Sequence, residues 1–197
     1  MYDETRGFVG TDRTVFNLTW DQVIQRLPGQ MRIDIDPAYV VRSYREHFPD
    51  MSPSDVYFAA STAARSWRGQ VIEAEERAKA GAPAYVYQVN YKSPREGGIF
   101  GAPHTMDIGL SFGNFDAEGS YTGTGPDAEA ASHQLQQAFI ALAKSGNPNC
   151  DAIPHWAPYT LPTRETMIAD THFRMENNPR GWEREFFAKI PYIQPGT

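Results

Sequence analysis

The chain has 197 residues, 41% of them apolar and 21% charged, and its 18 Lys and Arg against 24 Asp and Glu give a net charge of −6. These proportions suit a folded core under a solvated surface and argue against a disordered chain, while the acidic balance argues against nucleic-acid binding, which shows as a basic patch or stripe. Cys150 is the only cysteine, which excludes an internal disulfide framework and a multi-cysteine metal site. No apolar run approaches the roughly 18 residues of a membrane span, and the opening Met1–Phe8 stretch lacks the basic-then-apolar pattern of a signal peptide.

Residues 1–18 show little periodicity. Thr19 then reads as an N-cap, its hydroxyl placed to satisfy a free amide of the first turn of a short helix from Trp20 to Leu27, and Pro28-Gly29 stops that helix. Asp36-Pro37 is a second start signal, with Pro at the first helical position; Val40, Val41 and Tyr44 suit one face, and Pro49 ends the element. The strongest helix is predicted from Ser54 to about Ala80, with Val56, Tyr57, Ala60, Ala63, Ala64, Trp67 and Val71 tracing a broad apolar stripe. Its tail, Glu73 to Lys79, is a solvated stretch with favourable acid-to-base spacing. Ala84 to Tyr91, rich in β-branched and aromatic residues between Pro83 and Pro94, reads as a strand. From Ser93 to Gly125 the chain is Gly-rich and loop-like. Asp127 to Lys144 reads as a helix with Leu135, Phe139 and Leu142 on one face and Gly146 as its C-cap. Ile153 to Met175 suggests two short strands around a Thr163-Arg164-Glu165 turn, and Pro179 to Ile190 a terminal helix carrying Trp182, Phe186 and Phe187. No internal repeat and no linker marks a second domain.

The five histidines are the natural places to look for chemistry. None of them forms an HExxH pair, the spacing that puts two ligands on one side of a helix, so no metal site is expected. His47 sits at a helix end, where a cation meets the dipole favourably; His133 and His155 read as structural or exposed. His104 differs, because it follows Gly-Ala-Pro in a loop just after a strand, where a rigid sheet can hold a catalytic side chain. A base of this kind needs an orienting carboxylate and a group to deprotonate. Asp107 is three residues away. The one Gly-x-Ser-x-Gly spacing, Gly109-Leu-Ser111-Phe-Gly113, lies within the Gly-rich stretch with no strand directly before it, where a nucleophile elbow needs a strand-to-helix turn. Ser145 lies at the wrong end of its helix to stabilise an anion, Cys150 lies in a Pro/Asn loop without helical context, and Gly123-Thr-Gly-Pro lacks the Lys of a phosphate loop. Asn17-Leu18-Thr19 matches a glycosylation sequon, with an ordinary turn before a helix as the plainer reading.

The stretch Gly101-Ala-Pro-His104-Thr-Met-Asp107-Ile-Gly-Leu-Ser-Phe112-Gly113-Asn114 resembles the histidine loop of type-B carboxylesterases, the group that includes para-nitrobenzyl esterases and cholinesterases. Other segments follow in the family's order. The strand Ala84 to Tyr91 precedes the loop; Ser145-Gly-Asn-Pro-Asn149 with Pro154-His-Trp156 and Tyr159 resembles its Gly-x-Pro-Asn and Trp-Pro-x-Tyr stretch; and Ser52-Pro53-Ser54-Asp55 opens the long helix that carries Arg65 and Ala74-Glu75. Asp3-Glu4-Thr5-Arg6-Gly7-Phe8 is similar to the family's Asp-Glu-Gly-x-x-Phe turn, with Thr5 where Gly is usual.

The resemblance implies an α/β fold, the C-terminal portion of an α/β-hydrolase with a few sheet strands and several packing helices, across residues 1–197. It implies His104 and Glu4 as the triad base and acid, expected to approach one another, with Asp107 in a supporting or structural bond. The triad order Ser, acid, His puts the Ser nucleophile and oxyanion hole upstream of residue 1, so the chain alone is expected to be inactive. No cofactor and no metal are implied. The expected partners are a small-molecule carboxylic ester in the complete enzyme and either the missing N-terminal part or a second copy, with no nucleic acid and no membrane span. The alternative is a non-catalytic remnant acting as a binding or assembly module. A single Cys leans towards the cytoplasm as the location.

Overall fold

A computed structural model describes residues 2–193. In chain order its elements are α1 (Trp20–Arg26), α2 (Pro37–His47), α3 (Pro53–Thr62), α4 (Arg68–Lys79), β1 (Tyr87–Val89), α5 (Met106–Phe112), α6 (Pro126–Ser145), β2 (Glu165–Ala169), β3 (Arg174–Asn177) and α7 (Gly181–Ala188). The chain divides into two compact units: the residues up to Asp3 with Ala74–Pro179, and Glu4–Glu73 with the chain from Arg180 onward. No linker separates them. One crossing is the Asp3–Glu4 peptide bond and another falls inside α4, so no change of composition marks the division.

The unit that begins at Glu4 is helical. Thr19 caps α1 in a reciprocal capping box with Gln22, and Asp36 accepts from the amides of Ala38 and Tyr39 at the start of α2, as the sequence predicts. The long helix is interrupted: α3 passes into a π-helical turn at Ala63–Trp67, where Arg65 leaves helical geometry (φ −116°, ψ −118°), before α4 begins. The Ala64 carbonyl accepts the Arg32 amide at 2.9 Å, a tertiary bond that competes with the helical ladder and that no local pattern reveals. Val23, Leu27, Val40, Tyr44, Val56, Phe58 and Phe187 form the buried core.

Inside that core lies an ion pair. Arg180 donates to Glu183 at 2.5 and 2.6 Å, with the two side chains only 2% and 7% exposed. The Tyr44 hydroxyl donates to the same carboxylate at 2.8 Å, and the Arg180 guanidinium lies 4.7 Å from the Trp67 ring centre. His47 stacks on Trp182 at 4.5 Å, which accounts for it as a packing residue.

The other unit is built on a three-stranded sheet of order β1-β2-β3. β2 runs parallel to β1, with Tyr87 opposite Met167 and Val89 opposite Ala169, and antiparallel to β3, with Thr166 opposite Glu176. A parallel pair needs a long crossover, and α5 and α6 occupy it. Thr166–Ala169 are all buried, as in a strand covered on both faces. Met106, Leu110, Ala131, Leu135 and Ala138 pack with Val89, Met167 and Trp156. The buried face of α6 is mostly alanine, and Leu142, expected on it, is exposed.

Three other expectations are corrected. The strand predicted over Ala84–Tyr91 shortens to Tyr87–Val89, because the bonds of its ends leave the ladder: the Ala84 carbonyl accepts from Tyr159. The Gly-rich stretch contains α5, a seven-residue helix without a side-chain cap. The two late strands both follow the Thr163–Glu165 turn and are joined through residues 170–173; Glu165 is held by Thr160 instead. Two of the sequence's family-like positions gain a physical reason here. The Asn149 side chain bonds the Trp156 backbone in both directions, at 2.7 and 3.0 Å, and Glu75 pairs with Arg164 at 3.1 Å.

Glu183→Ala leaves the Arg180 guanidinium buried without its carboxylate, which is expected to cost about 3–5 kcal/mol, against about 1 kcal/mol for Tyr44→Phe; urea denaturation of the two variants measures the difference. A second test concerns Tyr87, whose hydroxyl donates to Asp107 Oδ2 at 3.1 Å. Burial first, then the Asp107 charge and hydrogen bond, push this phenol far above its ordinary value. The folded state therefore keeps the proton that the unfolded chain loses, and stability falls as pH rises past about 10. Tyr87→Phe removes that linkage, so the unfolding free energies of parent and variant converge or cross above pH ~10, at about 1.4 kcal/mol per pH unit.

Candidate active site

The histidine loop is fixed by its backbone. Gly101, Ala102 and Pro103 are buried and His104 is exposed. The Ser93 amide donates to the Gly101 carbonyl at 2.8 Å, and the Gly101 amide to Gly98 at 3.0 Å. The Asp3 amide donates to the Ala102 carbonyl at 3.1 Å, and the Ala102 amide returns a bond of 3.1 Å to Asp3 Oδ2. Just beyond His104, Thr105 takes a left-handed conformation at φ 70° and α5 starts at once. A β-branched residue there is a strained position, held by the turn on one side and by buried Met106 and Leu110 on the other. The loop thus presents an imidazole to solvent from a rigid base. Strain of this sort gathers where a side chain has to be aimed.

Asp107 is half-buried in the first turn of α5 and accepts the Tyr87 hydroxyl from β1. Its carboxylate thereby joins helix to strand directly behind the loop.

Glu4 belongs to the helical unit. It opens a 3-10 turn over Glu4–Phe8 and is 7% exposed. The next residue shows how a Thr replaces Gly in this turn. The Thr5 hydroxyl donates to the Phe58 carbonyl at 3.1 Å and lies 2.8 Å from Ser61 Oγ and 3.0 Å from Thr62 Oγ1, while the Thr5 amide donates to Thr62 Oγ1. A buried hydroxyl is tolerated because each of these groups finds a partner. Arg6 adds a 2.6 Å bond to Asp55 and lies over the Phe58 ring. Partial burial works against the Asp55 charge, but the Ser52 hydroxyl and the Arg6 guanidinium outweigh it and hold the carboxyl below its ordinary range. The turn bearing Glu4 is therefore bolted to α3. A cavity of about 390 Å³ opens beside it, lined by Thr5, Phe8, Asp12, Arg26, Tyr57 and Phe58 among others.

Sequence reasoning singled out Glu4, His104 and Asp107 and passed over their supports, Asp3, Thr5 and Arg6. The signal for Thr5 and Arg6 was present in Asp55 and in Ser61-Thr62, polar residues flanking the apolar middle of α3. His133, His155 and His172 are exposed, and among the described residues no three His, Cys, Asp or Glu side chains cluster as a metal site would require. Also among the described residues, no helix is long and apolar enough to cross a membrane.

The comparisons with known proteins agree with one another. The model of the carboxylesterase family matches residues 34–187. A para-nitrobenzyl esterase of Bacillus subtilis (strain 168) is 32% identical over 124 residues, which is 60% of this chain and 24% of that protein. Carboxylesterase 4A of Bos taurus is 27% identical over 151 residues, 74% of this chain and 24% of its own. Among solved structures, a carboxylesterase of Geobacillus stearothermophilus aligns with a TM-score of 0.76 at 24% identity, over 93% of this chain and 38% of the other; at that identity the likeness speaks to the fold, an α/β-hydrolase. The chain spans about a quarter of the length of both sequence relatives. A match over residues 34–187, most of the chain and the histidine loop within it, places this protein in the carboxylesterase family.

Proposed function

We propose that this chain supplies the acid–base half of a serine carboxylic-ester hydrolase, the C-terminal part of a carboxylesterase domain over residues 1–197. His104 is the general base that takes the proton of a Ser nucleophile and later gives it to the leaving alcohol. Glu4 orients the imidazole and stabilises the imidazolium. Asp107 keeps a structural role through Tyr87. The observation that carries the reading is the His104 loop itself: an exposed imidazole on a buried, hydrogen-bonded base between β1 and α5. Burial of Glu4 in a turn fastened to α3 supports the acid, because a group of this role works from a fixed position.

The one Gly-x-Ser-x-Gly spacing, Gly109 to Gly113, has its Ser111 inside α5 and not on the strand-to-helix turn of a nucleophile elbow. In this reading the nucleophile and the oxyanion donors therefore come from other polypeptide, and both large contributions to the rate are absent from this chain by itself. The substrate class is a carboxylic ester, as the family's description indicates.

Two measurements test this. The chain alone, given an aryl ester, is expected to show no saturable turnover. Supplied with an N-terminal carboxylesterase segment that carries the Ser elbow, it is expected to hydrolyse the ester, and His104→Ala and Glu4→Gln should each lower kcat by about 100-fold to 10,000-fold. Turnover that survives His104→Ala unchanged would remove His104 from the chemistry.

A further inference from the structure

We propose that Asp3 is a positioning residue that clamps the loop presenting His104. Its catalytic meaning rests on the hydrolase reading above; its physical content rests on the loop geometry alone.

Asp3 uses two groups on one peptide. Its amide donates to the Ala102 carbonyl and its carboxylate accepts the Ala102 amide, each at 3.1 Å. Ala102 is 0% exposed, so water cannot replace either bond, and a buried peptide group left unpaired is costly. The second bond is charge-assisted, the stronger kind.

Gly101 shows that the carboxylate's place is specified. A Cβ added there would lie 2.2 Å from Asp3 Oδ2 and 2.6 Å from Asp3 Cγ, and the residue sits at φ +58°. The Asp3 side chain fills the volume that any other residue's side chain at 101 would occupy. The flanking amide of Tyr2 donates to the Val89 carbonyl at 3.0 Å, which seats this amino-terminal strip on the end of β1. Asp3 is thus held from behind while it holds the loop in front. A Glu would displace its carboxylate by one methylene from the Ala102 amide, and an Ala would leave that amide buried and without this acceptor.

His104 lies two residues beyond this clamp and is itself exposed, so its aim depends on the backbone that bears it. Displacement of a reacting group by about 1 Å costs on the order of 100-fold in rate.

The test uses the ¹⁵N-labelled 197-residue chain. In Asp3→Ala, amide exchange at Gly101, Ala102 and His104 is expected to accelerate about 10-fold to 100-fold, with the α6 amides around Leu135 unchanged. Asp3→Asn keeps an acceptor oxygen and should restore most of the protection. Gly101→Ala should destabilise the loop when Asp3 is present and much less in the Asp3→Ala background, a non-additive pair. Unchanged exchange at Ala102 in Asp3→Ala, acceleration spread evenly over the chain, or simple additivity of the two substitutions would overturn the clamp. In the mixture with a Ser-bearing segment, Asp3→Ala should lower kcat about 10-fold to 100-fold at constant KM. A wild-type mixture without activity would count against the hydrolase reading, and the exchange data would still decide the clamp.

Discussion

The hydrogen bonds of Tyr2 and Asp3 to Val89 and Ala102 are the constraint on which the candidate site depends. β1 is an edge strand of only three residues, and its last carbonyl is satisfied by the amino-terminal strip. The same strip then closes the histidine loop. In the proposed role His104 has to be exposed to act and fixed to act well, requirements that conflict for a loop side chain. Here the conflict is resolved by burying the three residues before it and beginning a helix two residues after it.

The helical unit meets a related problem with different means. Glu4 lies in a short 3-10 turn, an element with little stability of its own. Its rigidity is borrowed from α3 through the Thr5 hydroxyl network and the Arg6–Asp55 pair. Several polar side chains deep in this unit bond to one another, from Thr5 and Ser61 at one end of α3 to Arg180, Glu183 and Tyr44 at α7. Apolar packing supplies most of the free energy of such a core, and the directional bonds fix which arrangement it takes.

What could be read from the sequence was what local chemistry decides. Thr19 with Gln22, Asp36 with Pro37, and Gly146 all do at their helix ends what their side chains or missing Cβ predict. What could not be read was decided by partners distant in sequence. Arg32 breaks the long helix at Ala64, Tyr159 draws Ala84 away from the strand, and α5 stands without a cap because its stability comes from packing Met106 and Leu110 on α6. At the site, motif order pointed to Glu4 and His104, and Asp107 was legible as a neighbour of the loop. Asp3 was not, because its role lies in a bond to a residue 99 positions away. The two-unit division left no trace in composition, since a helix and single peptide bonds carry the chain across it.

That division has a consequence for synthesis. The helical unit is encoded at both ends of the chain, Glu4–Glu73 and from Arg180 onward, with the whole of Ala74–Pro179 between. On a ribosome adding about 5–20 residues per second, Tyr44 and Phe58 emerge roughly 6–28 seconds before the Glu183 and Phe187 that complete their core. Through that interval the faces of α2 and α3 that α7 covers have no partner, while the intervening sheet segment is being made. The nascent chain therefore passes through a half-built state whose lifetime is set by translation speed, and elongation rate and chaperone supply become determinants of how much folded protein a cell recovers.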